Sequence, residues 1–380
     1  MVVEVGWVNG LAAIRSLGRS GVRTFAVDHR PWALGFKSRY AHRVIAPEPV
    51  ADEDGFIAAM ASLGQRFDGP TPVFATHDEH LNVMVKRATE LSEHYRFPAP
   101  GWPVLEALQR KRHQIETARA SGVGIPDTRY PASADEAVAA ADELGYPVFL
   151  KPSDPVEFKR RFKRQAFECH TAAEVATHFD EMVEFEPMLQ EFVPGSDDEL
   201  YTLGSYLDAN GEALGVFCGR KLRQTRENQG SARVGEAVWV DAVVEDGLKL
   251  LRALDYTGVS QVEFKRDRRT GEFKLMEVNP RLWQWHGLAS VCGVDLPMIA
   301  YLDLIGRPPE PVKMVGEGRR WAITLIAGTR NGLQRPPYTD AVWAADDPAP
   351  ALTQAGRMVS KAARQHPRTW FRKSRYVQRS

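Results

Sequence analysis

Gln261-Val262-Glu263-Phe264-Lys265 and, shortly downstream, Met276-Glu277-Val278-Asn279-Pro280-Arg281 are the stretches on which the fold turns. In an extended chain successive side chains point to opposite faces. Gln261, Glu263 and Lys265 therefore share one face, and Val262 and Phe264 take the other, the core side. Glu277, Asn279 and Arg281 alternate in the same way with Val278 and Pro280. Residues 266–272 between them contain Asp267 and Gly271 and read as a hairpin loop, which sets Glu263 beside Glu277. Carboxylates that close repel unless a cation stands between them. Two carboxylates and an amide oxygen are hard donors suited to Mg2+. Pairing of Glu263 with a lysine such as Lys274 is the structural alternative that the pattern leaves open.

Upstream of these acids lie cations at strand ends. Lys151 closes the apolar run Val148-Phe149-Leu150, where an ammonium must find a partner or reach water. Lys221 and Arg223 follow the run 213–218. Each alone fits a solvated strand end; together they suit phosphate charge. Strands are also expected at 188–192, 199–207, 258–265 and 273–278, with helices near 104–120, 134–144, 172–183 and 245–254. That pattern suits an α+β region built on antiparallel sheet.

The first hundred residues read differently. Strands at 2–8, 22–27 and 73–76 alternate with helical spacing such as Leu11, Ile14 and Leu17, so a parallel sheet is expected. Gly6 and Gly10 are spaced GxxxG, not GxGxxG, and Asp28 falls where a ribose-binding acid would. The dinucleotide signal is weak; a strand-to-helix turn lining a small-molecule crevice is the plainer reading. Pro98, Pro100, Gly101 and Pro103 mark a boundary after this region.

Composition narrows the class. The chain has 380 residues, 43% hydrophobic and 26% charged, an ordinary globular composition with room for two or three domains. Lysine plus arginine equals aspartate plus glutamate at 49 each, so nothing favours a nucleic-acid binder. Cys169, Cys218 and Cys292 form no CxxC pair and read as buried, reduced thiols of a cytoplasmic protein. The acidic N-terminus, with Glu4 and no basic leader, does not read as a secretory signal, and no apolar run is long enough to span a bilayer.

The order of these pieces resembles the ATP-grasp superfamily. The resemblance rests on the helix with Lys111, the strand PVFLKP ending at Lys151 and Pro152, the segment LQEFVPG at 189–195, and the pair QVEF and MEVNPR. Lys111 to Lys151 and Lys151 to Glu191 are each 40 residues apart, consistent with the usual pacing. GRKLRQ and NPRLWQWHGLA look closest to carboxylate–amine ligases near the D-aspartate ligase type. The resemblance implies an α/β and α+β ATP-grasp fold. A Rossmann-like pre-ATP-grasp domain would span 1–100, the small subdomain 101–195 and the C-terminal subdomain 196–330, with a basic extension at 331–380.

It also implies roles. Lys111 and Lys151 would contact the ATP phosphates. Gln190, Glu191, Phe192 and Val193 would form the hinge whose backbone reads adenine, and Glu199 or Asp198 would hold the ribose. Lys221 would reach the γ-phosphate, and Glu263, Glu277 and Asn279 would bind Mg2+ or Mn2+. Arg281 would steady the γ-phosphate or an acyl-phosphate. The implied reaction is ADP-forming amide synthesis from a small carboxylate and an amine. A nucleotide-binding sensor or scaffold of the same fold is the alternative.

The sequence departs from the family at 153–168. Many ATP-grasp enzymes place a glycine-rich hairpin there, whereas this segment has no glycine and carries Lys159, Arg160, Arg161, Lys163 and Arg164. It reads either as a solvated basic loop or as a side-chain lid over anions. Trp283-Gln284-Trp285-His286 is expected to line the acceptor pocket or to enter the core. Residues 357–380 hold eight basic residues and no acid, with Trp370, Phe371 and Tyr376 among them. They read as an exposed helix or as a surface for anionic lipid or an acidic partner.

Overall fold

The structure is a computed structural model, which describes residues 1–153, 155–226, 229–324 and 338–365. The first strands are short because the sequence turns early. Val2–Val3 is extended, and the chain enters the helix Val8–Arg19 by Val8, so the apolar run 2–8 splits between a strand and a helix. Four strands form a parallel sheet in the order Ala41–Ile45, Thr24–Asp28, Val2–Val3, Phe74–Ala75. Val2 and Val3 point to opposite sides and enter two different cores, as strand alternation requires.

Among the described residues two larger sheets follow, besides the two-stranded pair of Thr71–Pro72 with Tyr95–Arg96. A four-stranded antiparallel sheet runs Thr128–Arg129, Met188–Glu191, Val148–Lys151, Phe167–Cys169. The helices Ala134–Leu144 and Ala172–Met182 cover it through Ala137, Ala141, Val175 and Phe179. Ser133 and Thr171 cap these helices by accepting from the amides of Glu136 and Glu174.

The large sheet has eight strands. Its main path runs Phe273–Asn279, Gly258–Arg266, Leu200–Leu207, Ala213–Arg226, Gln229–Ala237, Arg320–Ala322, Tyr338–Asp340. Gly204 and Gly235 on this sheet are required by close approach. A Cβ at Gly204 would lie 2.0 Å from the Trp283 ring, and one at Gly235 would lie 2.6 Å from Trp285. The two indoles are fully buried, so the WQWH segment is core packed against bare backbone.

Two expectations are corrected in detail. The helix foreseen over 104–120 is two helices, Trp102–Gln109 and Lys111–Ala120, broken at Arg110. The Lys111 amide leaves the helical ladder and donates to the Ser153 carbonyl at 3.1 Å, which docks the second helix beside the Lys151 strand. The glycine-free segment carries a helix, Pro155–Phe162, whose Phe158 is buried among Phe162, Phe167 and Phe185. It is not a loop. Among the described residues no helix is long and apolar enough to cross a membrane. The three cysteines are free and buried.

The segment foreseen as a basic extension is tied to the large sheet and to the N-terminal region. Tyr338–Asp340 adds a strand to the large sheet. Immediately after it, Asp347 accepts from Arg15 Nε at 2.9 Å, from Ser38 Oγ at 2.8 Å and from the Arg39 amide at 2.9 Å. Asp346 binds Arg19 and Tyr40 of the same N-terminal region. Residues 366–380, which hold the rest of the basic tail, lie outside the described residues. The Arg15 and Asp347 side chains are 7% and 1% exposed, and stripping one partner from such a buried pair leaves an uncompensated charge. Asp347→Ala is therefore expected to cost about 3–5 kcal/mol in denaturant unfolding. A loss below about 1 kcal/mol, the worth of a surface pair, would show that the clamp contributes little.

Candidate functional site

The hairpin register brings the acids together. Glu263 faces Glu277 directly, and Gln261 faces Asn279. A bulge follows, so Phe264 pairs with Leu275 and both remain on the buried face. The side-by-side carboxylates are balanced by cations from separate elements. Lys221 Nζ lies 2.8 and 2.9 Å from the two oxygens of Glu263. Lys111 Nζ is 3.8 Å from Glu277 Oε2. Lys274 is not the partner: it faces Lys265 in the register and binds Glu191 and Asp267.

The electrostatics separate the two acids. Burial raises the Glu263 carboxyl, against the pull of Lys221, and repulsion from Glu277 adds to the rise. Burial would raise Glu277 too, but Lys111, the Asn279 amide, Lys221 and Arg281 together hold it below the usual range. Asn279 Nδ2 donates to Glu277 Oε1 at 3.1 Å and to Gln261 Oε1 at 3.3 Å, while Gln261 Nε2 donates to Glu263 Oε1 at 2.8 Å. Oxygen donors from two glutamates and an amide on one face fit a hard divalent ion such as Mg2+. No group of three or more His, Cys, Asp or Glu side chains suited to a metal occurs among the described residues, so the amide is needed to complete a set.

The other predicted residues distribute around this face. Lys111 begins its helix, and Gln114 one turn on accepts from the Val278 amide at 2.8 Å, which fixes the helix against the acid-bearing strand. Lys151 Nζ donates to Gln190 Oε1 at 2.5 Å, and Gln190 in turn donates to Thr128. Burial and the nearby Lys111 charge pull the Lys151 ammonium down to about 7. The Glu191 side chain is consumed by Lys274, by Arg269 and by the Asp127 amide, leaving its backbone as the part free of ion pairs. Phe192 packs against Phe149 and under Lys265, and Val193 is buried.

Glu199 and Asp198 differ sharply. Glu199 is buried and takes Arg266 at 2.7 and 3.1 Å and Arg268 at 2.7 Å. Asp198 is about half exposed and accepts from Ser196 at 2.6 Å. Of the two, Asp198 has the oxygen available to an incoming hydroxyl.

Arg281 supplies the residue that sequence reasoning missed. Its guanidinium makes a two-point pair with Asp78, at 2.7 and 3.1 Å. Asp78 opens a helix just past the strand Phe74–Ala75, at the carboxyl edge of the parallel sheet where such folds place ligands. An acid directly after an apolar strand was the available signal. Asp28 does not serve a ribose: its oxygens accept from the amides of Val5 and Arg30 and from the Arg30 guanidinium. That guanidinium lies over Gly6, where a Cβ would meet it at 2.2 Å. His286 is buried, neutral and held to the Asn9 carbonyl at 3.0 Å, with burial bringing its imidazole down to about 4. Its role is to join the N-terminal helix to the sheet.

The chain is similar to known proteins in sequence and in fold. Residues 236–302 match the family model described as carbamoyl-phosphate synthase L chain, ATP binding domain. A D-aspartate ligase of Enterococcus faecium (strain Aus0004) is 24% identical over 281 residues, covering 69% of this chain and 66% of the ligase. The chain thus spans just under two thirds of that relative. Biotin carboxylase of Campylobacter jejuni, solved as a β-γ-ATP complex, superposes with a TM-score of 0.65 at 18% identity, covering 80% of this chain and 70% of that one. The biotin carboxylase domain of 2-oxoglutarate carboxylase from Hydrogenobacter thermophilus, solved with MgADP and bicarbonate, gives 0.61 at 18% identity and covers 81% and 70%.

The Lys151 ammonium should titrate near pH 7 in an NMR experiment on the lysine side chains. Lys111→Met removes a neighbouring positive charge and should move that titration upward, toward the ordinary lysine value. An unmoved titration would separate the two lysines electrostatically.

Proposed function

We propose, on the ATP-grasp fold that this chain has, that it is an ADP-forming ligase which activates a carboxylate and joins it to an amine. The observation that carries the reading is the register pair Glu263 and Glu277 with Asn279, ringed by Lys111, Lys151, Lys221 and Arg281. Residues 1–100 serve as a Rossmann-like pre-ATP-grasp domain, and the nucleotide lies between the small antiparallel sheet and the large one. Glu263, Glu277 and Asn279 would hold Mg2+, with Mn2+ as a substitute. The bound ion supplies charge neutralisation at the phosphate oxygens.

The protein groups divide the remaining work. Lys111 and Lys151 bind phosphate oxygens from the small-sheet side. Lys221, held against Glu263, stays positioned to meet the γ-phosphate as it is transferred in line to the substrate carboxylate. Asp198 takes the ribose hydroxyls, and the backbone at 190–193 meets adenine. The amine then attacks the acyl-phosphate carbon, phosphate leaves, and Arg281 stabilises the oxyanion formed in between. No protein nucleophile is needed. Closure against water protects the acyl-phosphate.

The likeness to a D-aspartate ligase favours an amino acid as the amine. The N-terminal crevice offers acid–guanidinium couples, Asp78 with Arg281 and Glu4 with Arg30, matched to an ammonium and a carboxylate. The enzyme is assigned to the cytoplasm, where ATP is supplied.

Purified protein with ATP, Mg2+ and a panel of amino and carboxylic acids should release ADP and phosphate. AMP and pyrophosphate would reject the acyl-phosphate route, and nucleotide binding without any turnover across the panel would favour a sensor. Changes in a metal's outer shell alone cost 10–100-fold, so loss of an inner ligand in Glu277→Ala should lower turnover by more than about a hundredfold. Retained activity would remove Glu277 from the metal set.

A further inference from the structure

The helix Ala349–Gln365 begins inside the fold and leaves it. Its apolar residues Ala351, Leu352, Ala355, Met358, Val359 and Ala362 recur at helical spacing and form one stripe. Much of the described part of that stripe is open to water. Ala351 is buried, whereas Leu352, Met358 and Val359 are 64%, 44% and 53% exposed. Trp32 is more than half exposed beside it, and Arg357 Nη2 donates to the Trp32 carbonyl at 2.9 Å, so ring and helix belong to one surface. An amphipathic helix that presents aliphatic residues to water is normally covered by something.

The charge says what covers it. Arg357, Lys361 and Arg364 fall on the helix, and five more cations with no acid follow to Ser380, interleaved with Trp370, Phe371 and Tyr376. The whole chain is neutral, so eight cations gathered here leave the rest net acidic. That segregation draws one end of the molecule toward an anionic surface and turns the remainder away. Aliphatic and aromatic side chains among the cations suit insertion at a lipid headgroup boundary; a polyanion such as nucleic acid offers no apolar layer for them. We propose that the helix Ala349–Gln365, with Trp32 and the basic residues after it, docks on the surface of an anionic lipid bilayer. The helix lies in the interface and does not span it.

The test is co-sedimentation of the full chain with vesicles. Vesicles of phosphatidylcholine containing phosphatidylglycerol should pellet it, and vesicles of phosphatidylcholine alone should not. Added salt should release the bound protein. Leu352→Ser with Val359→Ser should weaken partitioning about tenfold, since both side chains lose an apolar medium. Replacing Lys361, Arg364, Arg368, Arg372 and Lys373 by glutamine should abolish the preference for anionic vesicles. Leu352 and Val359 are exposed, so an unchanged thermal melt will separate loss of docking from loss of fold. A chain that stays in solution, binds both vesicles equally, or binds as well with the substitutions overturns the proposal. So does self-association lost in the same variants without vesicle binding, or capture by duplex DNA in preference to vesicles.

Discussion

The constraint on which the rest depends is the placing of two carboxylates opposite one another on adjacent strands. Glu263 and Glu277 share a register position, and cross-strand neighbours there stand within contact range of each other. Two like charges in that relation, with Glu263 buried, repel each other. The fold answers with cations from separate elements: Lys221 from the long strand one beyond Leu200–Leu207, Lys111 from a helix start, and Arg281 just past the end of the Glu277 strand. Each arrives only if its element is docked. Gln114 fastens the Lys111 helix to the Val278 amide, and Ser153 receives the Lys111 amide. The site therefore depends on the docking of several sheets and helices at once.

How much of this could be read beforehand follows the range of the interactions. Glu263, Glu277 and Asn279 were legible because strand alternation is local and the loop between them is short. The helix Ala134–Leu144 was legible for the same reason, bounded by a serine cap and Gly145. The break at Arg110 was not, because it is made by a carbonyl at Ser153, distant in sequence. The acid Glu199 looked free for a ribose. Its arginine partners, Arg266 and Arg268, lie on the far side of a hairpin that sequence spacing does not bring near. Asp78 and Arg281 are 203 residues apart, and no periodicity links them. The strand Gln229–Ala237, rich in small and charged residues, has no apolar run to announce it.

The WQWH segment shows how a binding-like motif becomes packing. Tryptophans just after Arg281 look like pocket walls. Gly204 and Gly235 instead provide bare backbone for each ring, and Phe217 packs against both. The rings thus fix where Arg281 emerges. Their effect on chemistry acts through position, in the same way that Asp347, holding Arg15 and Ser38, fixes the N-terminal helix whose Asn9 carbonyl meets His286.

The helix Pro155–Phe162 stands where the sequence departs from the glycine-rich pattern. A glycine-rich hairpin grips anions with backbone amides. In a helix most of those amides are spent on its own carbonyls, leaving only the first turn free. What this helix can offer is side-chain charge. Some of that is already taken, since Arg160 pairs with Glu157 and Arg161 with Glu184. Burial holds the His77 imidazole below its ordinary value, against the pull of Asp78. The helix is anchored by Phe158 and Phe162 on its apolar side, so its cations face outward from a fixed base. Side-chain charge is less exact in geometry than a nest of amides, because each ammonium sits on a flexible stem.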